Sequence, residues 1–501
     1  MKKSLFVLLA LIAILALALT ACGSNETPAP EQPAEEAPAE EAPAEEAPAE
    51  EAPAEEAPAE GEKVQIRWFV GLGTGTDPEQ VAVEEALVEA FNASHDNIEL
   101  VLEVIPYESS YDTLATEIAS GEGPDIIGPV GWGGSNAFYG QWLDLTPLVE
   151  SANYDLGQFD PALVEMYQTE EGLVGLPFAV FPAAVFYNTT LFDEAGLNYL
   201  PAAYGEKYTM PDGTEVEWNW DTLTEVARIL TVDVNGNDAT SPDFDATQVV
   251  QYGYHPIWSG HPNYLGAFYG AAALYEGEAG NYTAVIPDHW KVAWEWWYNG
   301  IWGDQPFIPD GSVASSPEYG SSNTFASGKI GMGITNLWYT CCLDEFVDAG
   351  YEFQFGILPS YNGEVHGRVD ADTFRIWKGT QHPEEAFEVL TYLIGPEGVE
   401  PLIVGDGETP GAYGAFPALP EYQQAFIDSK SAQYPFVTTW DTIIAGNAYP
   451  DVPSAEGYMP NWNEAWDRIG TFGDLMNNTE GLDLEAEIQT LQEDLTTIFN
   501  K

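Results

Sequence analysis

The chain has 501 residues, 81 of them acidic and 14 basic, for a net charge of −67. That imbalance excludes nucleic acid and anionic membrane surfaces as partners, because both are bound through Lys and Arg. Three cysteines in so long a chain exclude a disulfide scaffold, and the roughly 440 residues that follow the N-terminal segment are too many for one core and suit two large lobes.

Lys2 and Lys3 precede an apolar run from Leu5 to Leu19 that is too short to span a membrane comfortably with these flanks. The run ends in Leu19-Thr20-Ala21-Cys22, which resembles the bacterial lipobox. Residues 1–21 are therefore expected to be a cleaved signal, and Cys22 to receive lipid. The lipid would hold the protein to the cell membrane from outside the cytoplasm, each buried methylene contributing about 0.8 kcal/mol. From Glu31 to Glu60 a Glu-Glu-Ala-Pro-Ala repeat follows. Regular Pro prevents a helix and paired Glu repel, so residues 22–62 read as a lipidated, disordered spacer.

Val64 to Val70 begins the folded part as a strand, and Gly71-Leu-Gly-Thr-Gly-Thr76 is a loop. Asp77-Pro78-Glu79-Gln80 reads as a helix start, with Asp at the cap and Pro at the first helical position. Ile98–Ile105 is the next strand, Leu114 and Ile118 sit on a helix that Gly121 ends, and Pro124–Ile127 is a third strand. Alternating strands and helices imply a parallel sheet, whose ligands sit beyond the carboxyl ends of the strands. Two loops then face a cleft: 71–76, which contains Thr74, and Gly128-Pro-Val-Gly-Trp-Gly-Gly134, which contains Trp132. The first lacks the GxGxxG spacing and any Lys, so it is not read as a phosphate loop. Trp132 reads either as a core residue or as a ligand contact.

Leu176 to Asn188 is nearly all apolar and is broken by Pro177 and Pro182, which predicts two short buried strands with an extended kink between them. Such a stretch can lie inside one domain or carry the chain between two. Beyond it, Trp218 and Trp220 open a helix as packing residues, and the tryptophans between Trp290 and Trp302 belong mostly to the core or surface of one helix. Asp233, Asn235 and Asn237 resemble the first half of a calcium loop, but Phe244 stands where the twelfth-position Glu belongs and Gly236 comes two places early, so a plain turn is favoured over calcium. Adjacent Cys341 and Cys342 can close only a strained eight-membered ring, which leaves a vicinal disulfide and two free thiols both open. Asp370 and Asp372 alternate on one strand face with Arg368 as their counter-charge, to bind hydroxyls or to sit solvated at a strand edge. The last helix carries Leu484, Ile488, Leu491, Leu495 and Phe499 at helical spacing.

Several stretches together resemble one family. They are Leu176-Pro177 and its apolar strand, Phe186-Tyr187-Asn188, and Leu191-Phe192 with Glu194-Ala195-Gly196-Leu197. Phe325, Ser327-Gly328-Lys329 and Gly331-Met332 follow with Trp338 behind them, then Tyr458-Met459-Pro460-Asn461. Over residues 63–501 their order resembles bacterial extracellular solute-binding proteins of the maltose- and oligosaccharide-binding type. The resemblance implies an α/β fold of type II periplasmic-binding-protein kind: two lobes, three interlobe crossings and C-terminal helices. Lobe one would hold 63–179 and 371–412, lobe two 180–370 and 413–501. It implies a monomer that captures a sugar or oligosaccharide and delivers it to an ATP-binding-cassette permease, with no catalysis and no cofactor. Ligand contacts are expected from Thr74 and Trp132 in the first-lobe loops, and from Phe181 at the first crossing. Further contacts are expected from Tyr254, Trp258, Trp338 and Tyr339 in lobe two, from Arg368, Asp370 and Asp372 at the return crossing, and from Trp462 near the end. Trp338 is the principal expected sugar platform, since a pyranose offers an apolar face and polar edges.

HExxH, CxxC and GxSxG are absent. With 81 acidic residues, chance carboxylate pairs are assured, so a secreted sugar-cleaving enzyme is the alternative reading, and a surface glycan adhesin the third.

Overall fold

A computed structural model of the chain describes residues 63–169, 171–405, 411–454 and 456–501. The expected signal, the lipid-bearing Cys22 and the spacer lie outside the described residues.

Among these residues ten strands form one mixed sheet. We number them β1 Val64–Val70, β2 Ile98–Val104, β3 Ile126–Val130, β4 Ala179–Asn188, β5 Val232–Asp233, β6 Val249–Tyr254, β7 Ile330–Asn336, β8 Phe353–Gly356, β9 Val369–Ile376 and β10 Phe416–Pro417. The order is β2-β1-β3-β9-β4-β7-β6-β5, with β8 and β10 also on β4. β1 pairs parallel with β2 and β3, and helices Pro78–Ser94 and Tyr107–Ser120 make the crossovers. The strand–helix alternation of the first lobe is thus as the sequence implied. Helices Asp288–Trp302, Trp462–Asn478 and Leu484–Phe499 belong to the second lobe's core, where Trp290, Trp294 and Trp297 are buried beside Phe472 and Leu491.

β4 organises the molecule. Val180, Phe181, Ala184 and Phe186 belong to one core cluster, and Ala183, Val185 and Tyr187 to another. A strand buried on both faces reads as a continuous apolar run, and each fully buried Val or Phe contributes about 1.5–3 kcal/mol. The sequence predicted two strands with a kink; there is one strand of ten residues. Pro182 does not break it, because it stands where the strand changes partners. Ala179 to Pro182 pair with Asp372 to Val369 of β9, whereas Ala183 to Tyr187 pair with Asn336 to Met332 of β7. A proline's missing donor costs least at such a handover. β9 does the reverse, pairing with β4 over Val369–Asp372 and with β3 over Thr373–Ile376. β10 is the third crossing, set against Ala179 and Val180.

The Asp233 turn holds itself together. Its carboxylate accepts from the backbone N–H groups of Asn235, Asn237 and Asp245 at 2.8, 3.0 and 2.9 Å, and from Asn237 Nδ2 at 3.2 Å. The side chain that would head a calcium loop serves as a turn cap.

Candidate functional site

The site is built where β4, β7 and β9 exchange partners. β7 ends at Asn336 and runs into a short turn, Leu337–Cys342. That turn presents Trp338 half-buried while Leu337 and Tyr339 go into the core. Trp338 donates its indole N–H to Asp370 Oδ2 at 2.9 Å. Trp258 lies parallel to it, with ring centroids 6.0 Å apart and an interplanar angle of 10°. Trp258 is 44% exposed, so the pair offers a flat face rather than core filling.

Local strain positions Trp258. Ile257 has φ of +55°, which costs a residue with a Cβ on the order of 1–2 kcal/mol. Its N–H donates to His255 Nδ1 at 3.0 Å, and the same nitrogen meets Thr324 Oγ1 at 2.8 Å. Ser259 and Thr335 hydroxyls meet at 3.0 Å on the other side.

Beneath the tryptophans is an ionic network. Arg368 is buried, and its Nη2 lies 2.6 Å from Asp370 Oδ1 and 3.7 Å from Glu456 Oε2. Its Nη1 donates to Asn336 Oδ1 at 3.1 Å, and its guanidinium sits 3.5 Å above the centroid of Tyr264. Tyr264 in turn donates to Glu456, whose carboxyl is raised above its usual range, chiefly by burial. Asp372, two residues on, is different: among the described residues no donor or cation reaches its carboxylate. Burial first, then the nearby charges of Asp370 and Glu456, push it up to about 7.

The first lobe supplies the facing wall. A Cβ on Gly131 would stand 2.8 Å from Asp372 Oδ1, so the loop reaches that carboxylate only because residue 131 is glycine. Trp132 opens the helix Trp132–Ala137 and stacks on Tyr167 at 6.2 Å, and its buried indole N–H has no partner among the described residues. Arg375 fixes this helix from behind, donating to Ser135 Oγ at 2.9 and 3.2 Å and to the Val174 carbonyl at 2.6 Å. Gln80 ties the 71–76 loop to the return segment. It donates to Thr74 Oγ1 at 2.8 Å and to the Ala412 carbonyl at 3.1 Å, and it accepts from Gly75 N–H at 2.8 Å. A cavity of about 760 Å³ is lined by Trp132 and Met166, by Val180, Val369 and Phe416 of the crossing strands, and by Asp451.

Of the residues singled out from sequence, Trp258, Trp338, Arg368 and Asp370 make one contiguous set, with Asp372 and Trp132 beside it. Thr74 is held by Gln80. Trp462, 8% exposed, stacks on Trp466 at 5.1 Å and lines a separate cavity of about 830 Å³ with Tyr111 and Phe138. Three residues lie in the core instead. Phe181 is buried, and its carbonyl accepts from Asn336 Nδ2 at 2.6 Å. Tyr254 points from β6 into the second lobe's core against Trp296. Tyr339 is fully buried, with its hydroxyl on Asn323 Oδ1 at 2.5 Å. For Tyr254 and Tyr339 the neighbouring aromatic, Trp258 or Trp338, occupies the outward position. Cys341 and Cys342 are joined by a disulfide three residues past Trp338.

Asn336, Tyr264 and Glu456 were not found from sequence. Asn336 directly precedes the Leu337–Tyr339 segment and terminates an apolar strand, a signal that was available. Glu456 is one carboxylate among many and had none.

The sequence profile described as "Bacterial extracellular solute-binding protein" matches residues 75–400. The chain belongs to this family. Among solute-binding proteins and their relatives, a binding protein of Brucella abortus strain 2308 is 24% identical over 314 residues, 62% of this chain and 67% of that protein. An ABC substrate-binding protein of Listeria monocytogenes, solved in complex with cycloalternan, superposes with a TM-score of 0.64 at 17% identity, over 87% of this chain and 99% of the other. UspC of M. tuberculosis gives 0.62 at 21% identity, over 86% and 100%. These structural likenesses carry the two-lobed type II fold, and membership of the extracellular solute-binding family implies a place outside the cytoplasm.

Proposed function

We propose that this solute-binding protein captures a sugar or oligosaccharide between its lobes and hands it, unchanged, to an ATP-binding-cassette permease. The observation that carries the reading is the parallel Trp258–Trp338 pair, hydrogen-bonded through Trp338 to the Asp370–Arg368 ion pair. A flat apolar face bordered by ionic acceptors and donors suits a pyranose, which has C–H faces and hydroxyl edges. The cycloalternan bound by the Listeria protein supports the same ligand class. The lobes are taken as 63–179 with 371–412, and 180–370 with 413–501, and closure on ligand supplies the differential affinity that a permease can read. The protein acts as a monomer, needs no cofactor, and is held at the membrane by lipid on Cys22.

The test is a thermal-shift screen of mono- and oligosaccharides followed by calorimetric titration. A ligand at 100 times its Kd should add about 2.7 kcal/mol of stability. Tight binding with the sugar recovered intact supports capture. Release of cleavage products would favour the sugar-cleaving alternative, and no binding by any saccharide would remove the reading.

A further inference from the structure

We propose that the cleft selects its ligand by charge: it accepts saccharides that are uncharged or carry an amino group and rejects those bearing carboxylate or phosphate, with Asp372 as the specificity-determining residue. This rests on the saccharide-binding reading above and narrows it.

The first observation is the local balance of charge. Asp370, Asp451 and Glu456 act on Arg368, whose pairing with Asp370 and Glu456 is already made, and Asp372 adds a further carboxyl beside Asp370 and Glu456. The other buried guanidinium of this region, Arg375, is turned to Ser135 and the Val174 carbonyl and offers no second anion site. An anionic ligand entering here would lose its hydration and meet uncompensated negative charge, where screening is weak.

The second observation is independent of charge. Asp372 presents a carboxylate with no donor among the described residues, reached closely by Gly131. Trp132, which follows Gly131 in the chain, presents a buried indole N–H with no acceptor among the described residues, and it stacks on Tyr167, which itself donates to the Asp372 carbonyl at 3.3 Å. An unmet acceptor across from Gly131 and an unmet donor on the residue that follows it are together complementary to hydroxyl groups, which both give and take hydrogen bonds. A ligand carboxylate only accepts, so it would satisfy Trp132 and leave Asp372 bare and repelled. An ammonium only donates, and it would satisfy and neutralise Asp372. Gly131 sets how near a ligand group can come to this carboxylate, since any side chain there would cover Oδ1.

The experiment compares each neutral oligosaccharide that binds with the same sugar oxidised at a primary hydroxyl to the uronic acid, and with its amino-substituted analogue. Calorimetric titration is run at pH 8.5, above the raised range of the Asp372 carboxyl so that it is ionised, on wild type and on Asp372→Asn. The oxidised sugar should bind wild type at least about tenfold more weakly than the neutral one, and Asp372→Asn should narrow that ratio at least about threefold, because the repelling charge is gone while the shape is kept. The amino analogue should bind wild type at least as tightly as the neutral sugar and lose that standing in Asp372→Asn. Equal binding of oxidised and neutral sugars to wild type overturns the proposal. So does a ratio unchanged in Asp372→Asn, which would make the loss steric, or an amino analogue that binds wild type more weakly than the neutral sugar. Should Asp372→Asn fail to fold, Asp372→Ser takes its place with the same ratios. A panel in which no saccharide binds at all defeats the saccharide reading itself, a result distinct from binding without charge preference.

Discussion

Trp338 and Asp372 carry the most at the scale of single residues. Trp338 is half-buried and keeps one face beside Trp258, so its truncation should act on ligand rather than on the fold. Trp338→Ala is expected to weaken saccharide binding by about 2 kcal/mol, roughly thirtyfold, while the ligand-free melting temperature falls little. Calorimetric titration paired with thermal unfolding of the apo protein measures both. A core tryptophan such as Trp294 gives the opposite pattern: Trp294→Ala should cost about 3–5 kcal/mol of stability and leave the affinity of the surviving folded protein unchanged. Asp372 makes a prediction about pH. Its carboxyl is raised to about 7 in the folded protein, so the folded state holds a proton that the unfolded state has already released. Stability contributed by this group is full below the unfolded pKa, near 4, and is lost as pH rises toward 7. Asp372→Asn should therefore raise the apo melting temperature at pH 8 and make little difference at pH 4, in melts run across that range.

At the scale of elements, residues 456–462 bridge the two lobes as their bounds are proposed above. The Asn136 amide, on the first lobe's Trp132–Ala137 helix, donates to the Glu456 carbonyl, while the Glu456 side chain belongs to the Arg368–Tyr264 network of the second. Tyr139 and Tyr458 add ring contact at 4.3 Å across the same boundary. The tyrosine pair is exposed to water whereas Asn136 is buried, so the rings' share of any closure is shallow and the amide is the firmer of the two contacts. Asn136→Ala combined with Tyr458→Ala should open the ligand-free protein, read as a larger radius of gyration in solution scattering, with the wild-type value regained on ligand. An unchanged radius would mean that the crossing strands alone hold the lobes.

For the whole molecule, the prediction concerns the tether. A spacer of repeated Glu, Ala and Pro cannot bury a core, so anchor and binding domain should be separable. Cys22→Ser is expected to shift the protein from the membrane to the soluble fraction of fractionated cells, with saccharide affinity within about twofold of wild type by titration. Loss of affinity in that soluble variant would mean that the folded domain begins before Lys63.

What the sequence alone determined is what one stretch of chain can encode. The strand–helix alternation of residues 64–130, the Asp77–Gln80 helix start, the tryptophan-rich helix and the terminal helix were all legible, because apolar period and capping chemistry are local. The order of family motifs pointed to the two-lobed fold and to Trp338, and Asp370 came from its alternation with Asp372 on one strand face beside Arg368. Tertiary structure decided which aromatic of each neighbouring pair faces outward. Tyr254 and Tyr339 went to the core and Trp258 and Trp338 did not, because both tryptophans lie in turns beyond the ends of β6 and β7, where no strand period sets which way a side chain faces. It also decided that Pro182 sits within one strand, since only the handover from β9 to β7 removes the need for its missing N–H. Glu456, more than eighty residues from Arg368, became a member of the site through long-range packing, which no local pattern in an acid-rich chain can announce.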